Sequence, residues 1–324
     1  MPTIAPLDLD GHCVTACWLG TVPHFALADG TVHRLDGGHK HVAAHDGLLA
    51  ATPSLDGKKL IAGGEDGKVT VMAADGKVDI IAEMGRKWVS SVAAGPQGAI
   101  AYGSGRSAFV LMADGKTREF EHPRSVEGIA FAPKGLRIGI ARYNGATLHF
   151  PAAQGKPTEL EWAGAHMGIT FSPDGNFVVT TMQENALHGW KLADGKHMRM
   201  TGYPAKVKSL SWGPRGRWLA SSGAPAAIVW PFHSKDGPMG KAPLELGTRG
   251  DAMVTSVAFH PADEIVAIGY ADGMVLAARC ADQKEVLLRR PGKGAVSSLA
   301  WDAEGRRIAF GSEVGDCGVI DIAG

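Results

Sequence analysis

The chain has 324 residues, and its 33 basic side chains are balanced by 33 acidic ones, so it lacks the positive excess with which nucleic-acid and membrane-surface proteins meet phosphates. No stretch is long and apolar enough to span a bilayer as a helix, and the opening Met1-Pro2-Thr3-Ile4-Ala5-Pro6 has neither the cationic start nor the unbroken apolar run of a secretory signal. Four cysteines, Cys13, Cys17, Cys280 and Cys317, do not make a disulfide framework in so long a chain, and they read as reduced thiols of a cytoplasmic protein.

Taken in chain order, Thr3 to Leu9 reads as a spare strand, with Pro6 confining it to an outermost position. A short first unit follows: Val14-Thr15-Ala16-Cys17-Trp18, Phe25-Ala26-Leu27, Thr31 to Leu35, and Lys40 to Ala43. This stretch is rich in histidine, with six of the thirteen (His12, His24, His33, His39, His41 and His45) between residues 12 and 45. His39 and His41 share one face of a strand, as do Cys13 and Cys17, so a zinc-like site drawn from His39, His41, His45, Cys13 and Cys17 is geometrically conceivable. The spacing matches no recognised ligand pattern, and the competing reading is of solvated surface and turn histidines.

From residue 55 a punctuation recurs: an apolar run, a Pro-Asp-Gly-type turn, and a second apolar run. Anchored on the third residue of Phe171-Ser172-Pro173-Asp174-Gly175, it falls at Leu55, Pro96, Pro133, Pro173, Pro214, Pro261 and Ala303, at spacings of 41, 37, 40, 41, 47 and 42. Such a period signals repeated strand units. In the unit that begins at Met167, proline presets the first turn and glycine closes it with positive φ; Phe177 to Thr181 is a β-branched second strand, and Ala186 to Trp190 a third. Ala193-Asp194-Gly195-Lys196 then turns into a fourth, and Ala74-Asp75-Gly76-Lys77 and Ala113-Asp114-Gly115-Lys116 repeat that hairpin signal. Residues 231 to 243 lengthen one unit between its third and fourth strands. The last unit ends with Cys317 to Asp321, one strand short.

A four-stranded meander of this size cannot bury both faces alone, so the units must stack as a β-propeller. With Trp190 and Trp230 at the end of third strands, and Gly11-His12 and Ala165-His166 as traces of a Gly-His dipeptide, the sequence resembles the WD40-repeat family. The resemblance implies one all-β domain over residues 1–324. Eight four-stranded blades are expected, with seven as the fallback should the first unit be only a cap. Pairing of Thr3 to Leu9 into the last sheet would close the ring.

The same resemblance implies a protein-interaction scaffold that binds partners with the loops joining successive blades and the turns between second and third strands. Carried onto this chain, those positions make Arg86, Trp88, Arg106, Arg124, Tyr143, His166, Tyr203 and Arg249 the candidate partner-binding residues. Arg, Trp and Tyr are the side chains from which interface hot spots are built, and the basic lean of the set points to an acidic protein or peptide. A monomer that binds neither nucleic acid nor membrane is expected. No cofactor and no catalytic residue is expected, because Gly103-Ser104-Gly105 and Ser221-Ser222-Gly223 lack the pattern of a nucleophile elbow. The alternative is a propeller with a metal or catalytic site in a central channel, linked to metal handling.

Overall fold

The computed structural model describes residues 2–323, and among them every regular element is a β-strand except for two single-turn 3₁₀ segments, Pro96–Gly98 and Pro214–Gly216. The repeat chemistry is realised as read. Gly175 takes φ of 78°, its N–H donates to the Ser172 carbonyl at 2.8 Å, and the Asp174 carboxylate accepts the Ser172 hydroxyl at 2.5 Å and the Asn176 N–H at 3.0 Å. In the Asp-Gly-Lys hairpins the aspartate accepts the lysine N–H two residues on, at 2.9 Å for Asp75 and 3.1 Å for Asp114. Second strands such as Phe177–Met182 are buried at every position, whereas the outer strand Thr117–Glu121 alternates between exposed and half-buried.

Two compact units emerge. One comprises Met1–Ala28, Val32–His41 and Tyr203–Gly324; the other comprises Asp29–Thr31 and Val42–Gly202. The first holds sheet I (Cys13–Leu19, Val22–Leu27, and most of Thr31–Leu35 and of His39–Ala43), sheet V (Leu210–Trp212, Trp218–Ser221, Ala227–Pro231, Leu244–Leu246), sheet VI (Val254–Phe259, Ile265–Tyr270, Val275–Arg279, Glu285–Arg289) and sheet VII (Thr3–Asp8, Val296–Trp301, Arg307–Ser312, Asp316–Asp321). In sheet VII, Thr3–Asp8 runs antiparallel to Asp316–Asp321 in a six-residue register, with Pro6 opposite Gly318. The insertion at 231–243 lies between the third and fourth strands of sheet V. It is anchored by buried Phe232, which meets Trp212 edge-on at 4.8 Å.

The second unit holds sheet II (Leu48–Pro53, Lys59–Gly64, Lys68–Ala73, Val78–Glu83), sheet III (Ser91–Ala94, Ile100–Ser104, Ser107–Leu111, Thr117–Glu121) and sheet IV, of six strands (Gly128–Phe131, Ile138–His149, Thr158–Phe171, Phe177–Met182, Ala186–Lys191, His197–Met200). The expected eight four-stranded blades are therefore corrected to seven sheets. The fallback reason is also wrong, because the degenerate first unit forms a complete four-stranded sheet. The shortfall arises in sheet IV, where Ile138–His149 continues through two expected strands, and Thr158–Phe171 runs from the outer strand of one repeat into the inner strand of the next. Register shifts at Tyr143/Gly145 and His166/Ile169 bend these strands where other repeats have loops.

One packing rule recurs at the last inner-strand position before each turn. In the first unit the Trp301 indole N–H reaches the Ala258 carbonyl of the preceding sheet at 3.0 Å, and that of Trp18 reaches the Ala300 carbonyl at 2.9 Å. A Cβ on Gly213 would come within 3.1 Å of the Phe259 ring. In the second unit, Cβ atoms on Gly95 and Gly139 would meet the Phe131 and Phe171 rings at 2.7 and 3.0 Å. An aromatic side chain thus fills the gap to the preceding repeat, and glycine makes room for it.

Candidate partner-binding site

Five of the eight predicted partner-binding residues, Arg86, Trp88, Arg106, Arg124 and Tyr143, are exposed, and all five lie in the second unit. Backbone hydrogen bonds hold their loops against the turns of the same sheet. The loop 84–90 is tied to the turn of sheet II by Met84 N–H to Gly67 O at 2.7 Å and Val89 N–H to Gly64 O at 3.0 Å. Val89 is thereby driven into the core and Trp88 left 58% exposed, so Trp88 does not cap the sheet. The loop 122–127 is tied to the turn of sheet III by His122 N–H to Arg106 O and Val126 N–H to Gly105 O, both 2.9 Å, with Arg124 outermost.

Arg124 and Tyr143 come together. With Ser125, Glu127 and Ala165 they line a cavity of about 360 Å³. Ser125, Glu127 and Ala165 were missed in the sequence, where their only signal is that they flank loop positions. Arg106 pairs with Glu121 at 3.1 Å in full solvent, a contact of little energy. Among the described residues Arg86, Lys87 and Arg124 have no ion-pair partner.

Three predicted residues are placed otherwise. His166 is fully buried, with Nδ1 2.7 Å from the Thr180 hydroxyl and Nε2 3.0 Å from the Trp162 carbonyl, and burial holds its pKa below the usual imidazole value. The buried Tyr203 hydroxyl lies 2.7 Å from Ser221 Oγ, and burial pushes its pKa up to about 12. Arg249 is clamped by Asp251 and Asp272, each at 2.8 Å, and its guanidinium lies 5.1 Å from the centre of the Tyr270 ring. His166 and Tyr203 turn inward, where a polar group removed from water must find a partner, whereas Arg249 is half-buried and held in ion pairs at the surface.

The predicted metal set is not assembled, and no group of three or more His, Cys, Asp and Glu side chains among the described residues is arranged to hold a metal ion. His45 is buried with Nδ1 3.0 Å from Asp66 and Nε2 2.9 Å from the Thr70 hydroxyl, so both of its ligating atoms are engaged. Cys13 and Cys17 are core residues. A hydrogen bond with Cys317 and then burial push the Cys13 thiol up, and burial pushes Cys17 up to about 12, so neither offers the thiolate a metal needs. His39 and His41 are exposed and stack with His33, whose Nδ1 lies 2.9 Å from His39 Nε2.

The first unit has a polar cavity of about 380 Å³ lined in part by Ser209, Thr255, Ser297 and Ser298. These hydroxyls stitch neighbouring inner strands: Val257 N–H to Ser209 Oγ at 3.0 Å, Thr255 Oγ1 to Val296 O at 2.7 Å, and Ser297 Oγ to Cys13 O at 2.6 Å. They act as ties between sheets, and His12, Lys208 and Glu313 line the same cavity.

The family model that matches the sequence is the anaphase-promoting complex subunit 4 WD40 domain, over residues 257–324. Among solved structures, the chain is similar to the computationally designed Ika8 protein, at 18% identity and a TM-score of 0.79, covering 97% of this chain and 98% of that one. It is also similar to the C-terminal WD40 domain of Sif2, at 13% identity and a TM-score of 0.78, covering 99% of each chain. No curated protein sequence matches. At these identities the structural likeness establishes fold alone. The matched C-terminal segment and the shared fold together support the WD40-repeat family, with an all-β WD40-like propeller as the fold of this chain.

Proposed function

We propose that this chain is a non-enzymatic, cytoplasmic interaction scaffold, a single propeller domain over residues 1–324, that binds an acidic protein or peptide through Arg86, Trp88, Arg106, Arg124 and Tyr143. The observation that carries this reading is the cavity in which Arg124 and Tyr143 meet. A phenol ring supplies contact area at small entropic cost, and beside it an unpaired guanidinium is free to take a carboxylate bidentately. Arg86, Lys87 and Trp88 extend the same chemistry on a neighbouring loop. A scaffold role is typical of WD40 propellers, and the matched family is named for a subunit of a multi-protein complex.

The test is affinity capture from the native host, read by quantitative mass spectrometry, comparing the wild type with the Arg124→Glu, Tyr143→Ala double variant. A partner that is recovered by the wild type and lost with the double variant supports the reading. Equal recovery by both rejects this face. The alternative of a metal or catalytic centre has no observation in its favour.

A further inference from the structure

Two inner strands of the second unit end without an aromatic, at Pro53 and Ala94, and of these Ala94 faces another sheet of the same unit. The last inner-strand residue is Pro53, Ala94, Phe131, Phe171, Trp212, Phe259 and Trp301, and in the first sheet Trp18 takes this role one residue before the strand ends at Leu19. At Ala94 the side chain is a methyl group, and between sheets III and II there is a groove of about 510 Å³ lined by Ser54, Leu55, Ile61, Ile81, Ala94 and Ile100. The correspondence is one of position: Ile61 occupies the place of Gly139, against which Phe171 packs, and Ser54 that of Gly95, against which Phe131 packs, so this slot is walled by two side chains where its equivalents have glycine. Leu55, at the mouth, is 71% exposed.

The equivalent slots also show how an aromatic is held. Trp301 and Trp18 donate their indole N–H to Ala258 and Ala300, and these residues pair in register with Ala267 and Ala309. Thr52, paired with Ile61, is the equivalent position in sheet II. The mouth carries two carboxylates, Asp56 and Asp79, with Lys59 beside them; Asp79 is paired with Lys77 at 3.1 Å in solvent, and Asp56 has no ion-pair partner among the described residues.

We propose that this groove is a docking slot for a tryptophan side chain presented by a partner peptide in which lysine or arginine flanks the tryptophan. The guest takes the place that the chain's own aromatics take elsewhere in the repeat, and the carboxylates at the mouth select the basic neighbours. This site is separate from the Arg124–Tyr143 cavity and does not depend on the function proposed for it.

The experiment titrates the full chain with acetyl-Lys-(5-fluoro-Trp)-Lys-amide, followed by fluorine NMR, with the Glu-flanked peptide as comparison. Saturable binding of the Lys-flanked peptide is expected, at least tenfold tighter than the Glu-flanked one at low salt. Ala94→Trp, which fills the slot covalently, should abolish binding and raise the melting temperature by a few degrees. Leu55→Lys, at an exposed position that leaves the core intact, should weaken binding of the Lys-flanked peptide at least tenfold even if Ala94→Trp does not fold. The Arg124→Glu, Tyr143→Ala variant should bind the peptide as the wild type does. Absence of saturable binding to the wild type overturns the proposal, as does unchanged binding in Leu55→Lys. Equal affinity for both peptides overturns the basic flank. Self-association of the wild type that Ala94→Trp removes would assign the slot to a second copy of the chain and overturn the peptide as its occupant.

Discussion

The Trp230 indole N–H donates to the Tyr203 hydroxyl at 2.6 Å, deep in sheet V where both side chains are buried. Tyr203 lies in the loop leading into that sheet and Trp230 on its third strand, so one hydroxyl fixes a loop to a strand. Tyr203→Phe keeps the ring and strands the indole N–H. The expected cost is about 1–3 kcal/mol, the penalty for an unmet buried donor, seen as a lower melting temperature or denaturant midpoint. Partner capture should be unaffected, because Tyr203 presents no surface.

His188 is buried between Trp162 and Trp190, and neither of its ring nitrogens has a hydrogen-bond partner among the described residues. Burial lowers its pKa to about 3, and burial lowers that of His149 to about 4. The folded-state values lie below the unfolded value of 6.5, so the unfolded chain takes up protons first as the pH falls. The stability these groups contribute is complete above pH 6.5 and is lost progressively between there and about pH 4 to 3. Melting temperatures from pH 7.5 to 4.5 should fall, and His188→Phe should flatten the decline. An unchanged slope in that variant would show that His188 does not set it.

Thr3–Asp8 completes the sheet that ends the chain, and Leu9 N–H adds a hydrogen bond to the Gly315 carbonyl at 2.8 Å. Without this strand, Asp316–Asp321 would expose unpaired amides along an aggregation-prone edge. A chain beginning at Asp10 should melt well below the full chain or become insoluble, as thermal denaturation and sedimentation would show. Unchanged stability would reject the N-terminal strand as a clasp.

The exposed loop residues offer the opposite contrast, since their loss should touch binding and not folding. Replacing Arg86, Trp88 and Arg124 together by alanine should shift stability by no more than about 0.5 kcal/mol per site. Affinity for a captured partner should fall by at least about 30-fold, as expected from losing even one hot spot of about 2 kcal/mol. Wild-type affinity in the triple variant would dismiss this face.

The repeat was legible from the sequence because turns and strand faces are local matters. Proline, aspartate and glycine in Ser172-Pro173-Asp174-Gly175 determine their own backbone geometry, and alternation or continuous burial follows from two-residue periodicity. The pairing of Thr3–Asp8 with the last strand was also legible, since the final unit visibly lacks a strand. Only the tertiary structure decided how many sheets result, because whether a strand ends or runs on past a bulge, as at Tyr143/Gly145, depends on what it packs against. The same holds for the sites. His166, Tyr203 and Arg249 carry the residue types of an interface, but which loop side chains turn inward or are held in ion pairs is set by partners distant in sequence, such as Thr180, Trp230 and Asp272. The groove beside Ala94 shows both halves: the missing aromatic can be read from the alignment of repeats, while the space it leaves exists only once two sheets are packed together.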